Sequence, residues 1–212
     1  MRMIQSTAAA LLLGLTTAGT TQAASISYIL DQSSSMADDI GYLQVTISDG
    51  VSGAIDFAVR MLDPLMAVAG KKFGIQKFSF NLIPGAAAEA DNVTGLPEGW
   101  NARNGGRLDG FGRFDVSLKG NGDSRVSNLN FSITGVDGDQ LLDYVSLSTG
   151  HVKDEHAFFA ANVHGLAVAS SGSQATFGGT AATTVVPVPA AIWLLSSGLG
   201  LLSCFTRRRT AI

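Results

Sequence analysis

The 212-residue sequence predicts a mainly β chain. Its expected form is an antiparallel β-sandwich or jelly-roll-like ectodomain, with a signal peptide before it and one transmembrane helix after it. Three observations predict this. In the middle of the chain, apolar residues recur at every second position, the mark of strands with one buried and one wet face. Clusters of Gly, Asp and Asn punctuate those runs, as turns require. The two ends are instead continuous apolar stretches flanked by arginine. The length suits one domain of ordinary size.

The first element is the N-terminal segment. Arg2 supplies a short positive region, residues 8–15 (AAALLLGL) an apolar core, and no acidic residue precedes Asp31. Thr21 and Ala23 place small side chains at the third and first positions before a peptidase cut. Residues 1–23 therefore read as a signal peptide, with Sec export and signal peptidase as the implied partners. The apolar run is short for an anchor that must cross about 30 Å of hydrocarbon.

Residues 24–170 read as the sandwich. Leu43, Val45 and Ile47 alternate with Gln44, Thr46 and Ser48. Ile55, Phe57, Val59 and Met61 alternate with Ala54, Asp56, Ala58 and Arg60. Phe114, Val116 and Leu118 alternate with Arg113, Asp115, Ser117 and Lys119. Leu129, Phe131 and Ile133 alternate with Asn128, Asn130, Ser132 and Thr134. The spacing predicts that Phe114, Val116, Leu118, Leu129, Phe131 and Ile133 share one core. Lys77, Arg113, Asp115, Lys119, Asn128 and Asn130 then face water. The turn-rich residues 120–124 (GNGDS) predict an antiparallel hairpin joining the strand at 113–119 to the one at 126–134. Residues 64–69 (PLMAVA) suit a turn or two of helix, and residues 139–145 a short helical turn or a strand. Residues 171–184, rich in Ser, Gly, Ala and Thr, read as a flexible linker.

Charge and composition exclude several classes. Four of the 14 basic residues (Arg2, Arg207, Arg208 and Arg209) lie at the ends, leaving ten in the middle against all 17 acidic residues. Such a balance disfavours nucleic acid as a partner. The single cysteine, Cys204, excludes an internal disulfide and a four-cysteine zinc site. His151, His156 and His164, even beside Asp154 and Glu155, lack the spacing of a helical zinc motif and read as loop residues. Neither a Gly-x-Ser-x-Gly elbow nor a phosphate-binding loop is present. No cofactor is expected. Calcium on the Asp137-Gly138-Asp139 turn or the 31–39 loop is the one alternative, because the same residues serve turns for backbone reasons. Trp100, in the polar context PEGWN, is the candidate glycan contact, since an indole face suits the C–H surface of a sugar. A tryptophan capping the core would read the same way.

The C-terminal element starts at 185. Residues 185–205 form an uncharged run of 21 residues, long enough to cross a bilayer as a helix, and Arg207, Arg208 and Arg209 follow as a cytoplasmic stop. Val186-Pro187-Val188-Pro189, the apolar span and the arginine tail together resemble a PEP-CTERM sorting signal over residues 185–209. Val188 stands where the family's namesake glutamate would be, giving a Val-Pro-x-Pro form. The resemblance implies processing by an exosortase, a membrane transpeptidase of Gram-negative bacteria that make extracellular polysaccharide. Residues 73–78, 96–100, 110–114 and 158–163 also look like segments of such ectodomains. Two prolines two residues apart hold the backbone extended outside the bilayer, as a processing enzyme needs. Cys204 reads as a small apolar residue of the span.

The expected function is non-enzymatic. The chain reads as an exported, exosortase-sorted protein that passes through the inner membrane to the cell surface or extracellular matrix, in association with exopolysaccharide. The alternatives are a carbohydrate-binding module using Trp100 and loop aspartates, and a glycoside hydrolase, which needs two carboxylates across a cleft.

Overall fold

The computed structural model of the protein describes residues 24–167 and 173–183. Twelve strands, numbered along the chain, form two six-stranded sheets. The first has the spatial order β12 (Ala181–Thr183), β1 (Ser25–Leu30), β3 (Leu43–Asp49), β4 (Ile55–Met61), β9 (Asn128–Ile133) and β6 (Val93–Thr94). The second runs β2 (Gln32–Ser33), β11 (Gln174–Gly179), β10 (Phe159–Leu166), β5 (Ala69–Phe80), β8 (Gly112–Gly120) and β7 (Trp100–Leu108). Every pairing is antiparallel.

The alternation read from sequence fixes which side chains enter the core. In the first sheet the register sets Ile47 opposite Phe57 and Phe57 opposite Phe131, so one apolar row crosses three strands. The second sheet answers with a row in which Val116 pairs with Phe80 and Phe80 with Phe159. The rows meet face to face as in a β-sandwich. The Phe57 ring stacks 4.7 Å from Phe131 and 5.3 Å from Phe80, and Tyr144 meets Phe57 edge-on at 5.2 Å. Burying each such ring contributes about 1.5–3 kcal/mol, which sustains a fold that has no disulfide. Residues 64–66 make the expected turn of helix, α1 (Asp63–Met66), with Pro64 in the first turn, where its missing N–H loses no partner. Residues 139–145 contain the 3₁₀ turn Leu141–Tyr144 that delivers Tyr144 to the core.

Three expectations are corrected. The strands at 113–119 and 126–134 do not form a hairpin: β8 pairs with β5 and β7, whereas β9 pairs with β4 and β6 in the other sheet. Residues 120–127 instead cross between sheets, pinned near the start of β9 by backbone bonds between Val126 and Ile75. Alternation reports which face of a strand is buried, not which strand lies beside it. Phe114 is buried outside the main core, in a satellite cluster with Leu108, Phe111, Ala157 and Ala160. Ala160 pairs with Ser79 on the side of β10 opposite the core-facing Phe159 and Ala161, so this cluster closes the outer side of the second sheet.

The third correction concerns residues 171–184, expected as a linker. Residues 174–183 are β11 and β12, and β11 is buried within its sheet from Ala175 to Gly179. Its small residues are there for close approach. A Cβ at Gly178 would lie 2.4 Å from the Phe111 ring, and one at Gly179 would lie 2.2 Å from the carbonyl oxygen of Ile29. Phe177, paired with the core-facing Ala161, is fully buried and packs 4.8 Å from Tyr42. The domain therefore runs to Thr183, not to residue 170. Because β12 pairs antiparallel with β1, Ser27 opposite Thr183, residues 24 and 183 lie at the same end of one sheet edge.

Candidate functional site

Val186, Pro187, Val188 and Pro189, expected as a sorting motif, Arg207, Arg208 and Arg209, expected as a membrane stop, and Cys204 all lie outside the described residues, as do residues 1–23, expected as a signal peptide. Among the described residues no helix is long and apolar enough to cross a membrane.

Trp100 is not an open platform. It opens β7, is 8% exposed, and packs with the main core. Its Nε1–H donates to the Ser124 carbonyl, and its ring lies against Gly120. A sugar has no free indole face to stack on, so the glycan-contact expectation for Trp100 is withdrawn. All aromatic side chains among the described residues are buried or half-buried.

The loop carboxylates gather at one end of the second sheet. Asp38 accepts the Ser33 backbone N–H at 2.9 Å, and Asp39 accepts from Gln32 at 3.2 Å. Burial, then the charges of Asp31, Asp38 and Asp39, push Glu155 above the usual carboxylate range. Burial likewise raises Asp154, with Asp38 and Asp109 adding to it against the opposing pull of Lys153. Among the described residues no group of three or more His, Cys, Asp or Glu is arranged to hold a metal ion. The histidines stand apart in role. His151 is exposed, His156 contacts the Ser148 hydroxyl at 3.2 Å, and burial followed by Arg125 lowers the pKa of His164 on β10. Asp139 accepts the Tyr144 hydroxyl, and Asp143 caps the Gln140 N–H at 3.0 Å, so this aspartate turn serves the 3₁₀ element.

Sequence reasoning missed the segregation of positive charge. Of the ten lysines and arginines between residues 24 and 183, seven lie on β5, β8 and β7: Lys71, Lys72, Lys77, Arg103, Arg107, Arg113 and Lys119. The only carboxylate on those strands is Asp115, and it accepts the Leu82 backbone N–H at 3.0 Å. The register sets Lys77 opposite Lys119, Arg103 opposite Ser117 and Arg107 opposite Arg113. Like charges placed directly across a ladder destabilise it. Lys77 is half-buried, and its Nζ donates to the Arg107 carbonyl. Burial, then Arg103 and Lys119, bring its pKa down to about 8. Its Nζ and the Ser117 hydroxyl both lie close to Gly106, and the Ser117 hydroxyl meets that of Ser79 at 2.6 Å in a buried contact. The sole ion pair among the described residues, Lys72 with Asp123 at 3.1 Å, leaves Lys77, Arg103 and Lys119 without counter-ions. Along the same strands a depression of about 400 Å³ is lined by Gly105, Gly106, Arg107, Arg113, Asp115 and Thr149. A second, of about 370 Å³, lies over β4 and β9 beside the Asp56–Ser132 hydrogen bond.

The architecture is thus an antiparallel sandwich with a basic ribbon on one sheet and an acidic loop cluster beside it. Comparison of the chain with protein-family models, with curated proteins and with solved structures finds no match.

Proposed function

We propose that this chain is an exported, exosortase-sorted protein of the cell surface or extracellular matrix that acts without catalysing a reaction, in association with exopolysaccharide. The observation that carries the reading is the C-terminal arrangement of Val186-Pro187-Val188-Pro189, an uncharged span and Arg207 to Arg209, opposite a signal peptide at the other end. The span parks the chain in the inner membrane, and the arginines prevent full export. The prolines keep the preceding backbone extended, where a membrane transpeptidase reaches it.

The domain's geometry supports this reading. Residues 24 and 183 leave the sandwich at one end of the β1–β12 edge. The two segments expected to carry the addresses therefore join the domain at the same end of that edge.

The test is a Pro187→Ala/Pro189→Ala variant in a host with an exosortase, followed by fractionation. Alanine lets helix run through the motif and removes the extended conformation. The variant is expected to remain in the inner membrane as an uncut precursor. Release at the wild-type rate would reduce the prolines to a helix start and leave a plain membrane anchor.

A further inference from the structure

We infer that the outer side of the β5–β8–β7 ribbon, centred on Lys77, Arg103 and Lys119, binds an anionic polysaccharide through its carboxylates or sulfates.

Charge placement carries the inference. A domain with seventeen acidic and ten basic residues has collected most of its cations on three adjacent strands and has kept all but one acid off them. The arrangement costs stability. Lys77 and Lys119 oppose each other across the ladder, and Lys77 is half-buried with no carboxylate partner. A fold gains nothing from an uncompensated, partly desolvated ammonium. An anionic ligand supplies the missing counter-charge. Burial first, and then the neighbouring charges of Arg103 and Lys119, bring the Lys77 pKa down to about 8.

The surroundings select the class of anion. Asn101 opposite Lys119 and Asn162 opposite Lys77 place neutral hydrogen-bonding groups among the cations, as a hydroxyl-rich polymer requires. Gly106 of β7, an edge strand, lies against the Ser117 hydroxyl with the Lys77 ammonium nearby, and at the adjoining Gly105 a Cβ would meet nothing within 4 Å, so the backbone there is open to close approach of a chain. Single-stranded nucleic acid is bound by stacking bases on exposed aromatic rings, and every ring among the described residues is buried or half-buried. A duplex carries dense charge that the acidic remainder of the domain repels. The choice of a polysaccharide rests on the exported reading, whereas the anion site itself rests on the ribbon alone.

The test is equilibrium binding of the full chain, held in non-ionic detergent, to immobilised polygalacturonate, with neutral dextran and duplex DNA as comparisons. Binding to polygalacturonate, none to dextran, and loss near 1 M salt, where screening falls to about 3 Å, are expected. Arg103→Gln/Lys119→Gln removes two exposed charges without touching the core and is expected to weaken binding by roughly tenfold or more. Arg60→Gln, on the other sheet, is expected to leave it unchanged. Equal binding by the double variant, equal binding to dextran, or tighter binding to DNA would each overturn the inference. Self-association lost in the double variant would overturn it too, by assigning the ribbon to the acidic loops of a second copy. None of these results depends on whether the C-terminus is processed, so this inference and the sorting proposal fail separately.

Discussion

Gly178→Ala separates a packed strand from a flexible linker by the sign of its effect. Gly178 carries no positive φ, so alanine is free of backbone strain there. In an open strand or linker the change would stabilise by about 0.5–1 kcal/mol, because it restricts the unfolded chain. Here the new Cβ would lie 2.4 and 2.5 Å from Cδ1 and Cε1 of Phe111. Phe111 is fully buried and Ala160 and Ala157 pack around it, so the ring has nowhere to swing. Overpacking of this kind costs about 1–3 kcal/mol. The net expectation is a loss of about 1–2 kcal/mol, or about 0.5–1 M in the urea midpoint for a domain of this size. Gly122→Ala is the matched control: its Cβ would meet nothing within 4 Å, and a small gain is expected. Urea unfolding of residues 24–183, which hold every strand described, reads both. A Gly178→Ala protein as stable as the Gly122→Ala one would refute the placement of β11 against Phe111.

Three further outcomes follow from the same structure. Phe131→Ala removes a ring stacked on Phe57 and is expected to cost about 3–5 kcal/mol in the same assay; a change under about 1 kcal/mol would remove Phe131 from the core. Lys77→Met is expected to stabilise the protein at neutral pH. Because the folded pKa of about 8 lies below the ordinary 10.5, the unfolded chain holds more protons between those values. Wild-type stability should therefore rise with pH across that window, the advantage of the Met variant should vanish above it, and polyanion binding should weaken as pH passes 8. Glu155→Gln is also expected to stabilise at neutral pH. Burial and the Asp31, Asp38 and Asp39 charges raise its folded pKa, so the cost of its charge is fully present above that pKa and disappears on acidification; a gain that persists in acid would point to packing instead of charge.

Much of the sandwich is legible in the residues themselves. The alternations at 43–47, 55–61 and 129–133 name the core faces of β3, β4 and β9, because burial of one face repeats every two residues. Pairing is harder to read. The 113–119 and 126–134 segments carry the pattern and turn residues of a hairpin, yet β5 and β7 already occupy both edges of β8. Composition misleads most at β11, where Gly178 and Gly179 look like flexibility and serve contact with Phe111 and the Ile29 backbone. Trp100 sits in a polar sequence but enters the core at the start of an edge strand, where the Ser124 carbonyl satisfies its N–H. The basic ribbon was visible one residue at a time: Lys77, Arg113 and Lys119 are wet-face positions by alternation. Its concentration appears only when β5, β8 and β7 become neighbours, because Lys77 and Lys119 are far apart in sequence and opposite in register.

The proposal that the two ends deliver this domain is tested most directly by the masses of both ends. Mature protein should be purified from a host with an exosortase, and its intact mass and terminal peptides measured. The expected product begins at Ala24 and ends before the span that follows Pro189, and it is recovered outside the inner membrane. A product that ends at Ile212 and stays in the membrane would contradict the account.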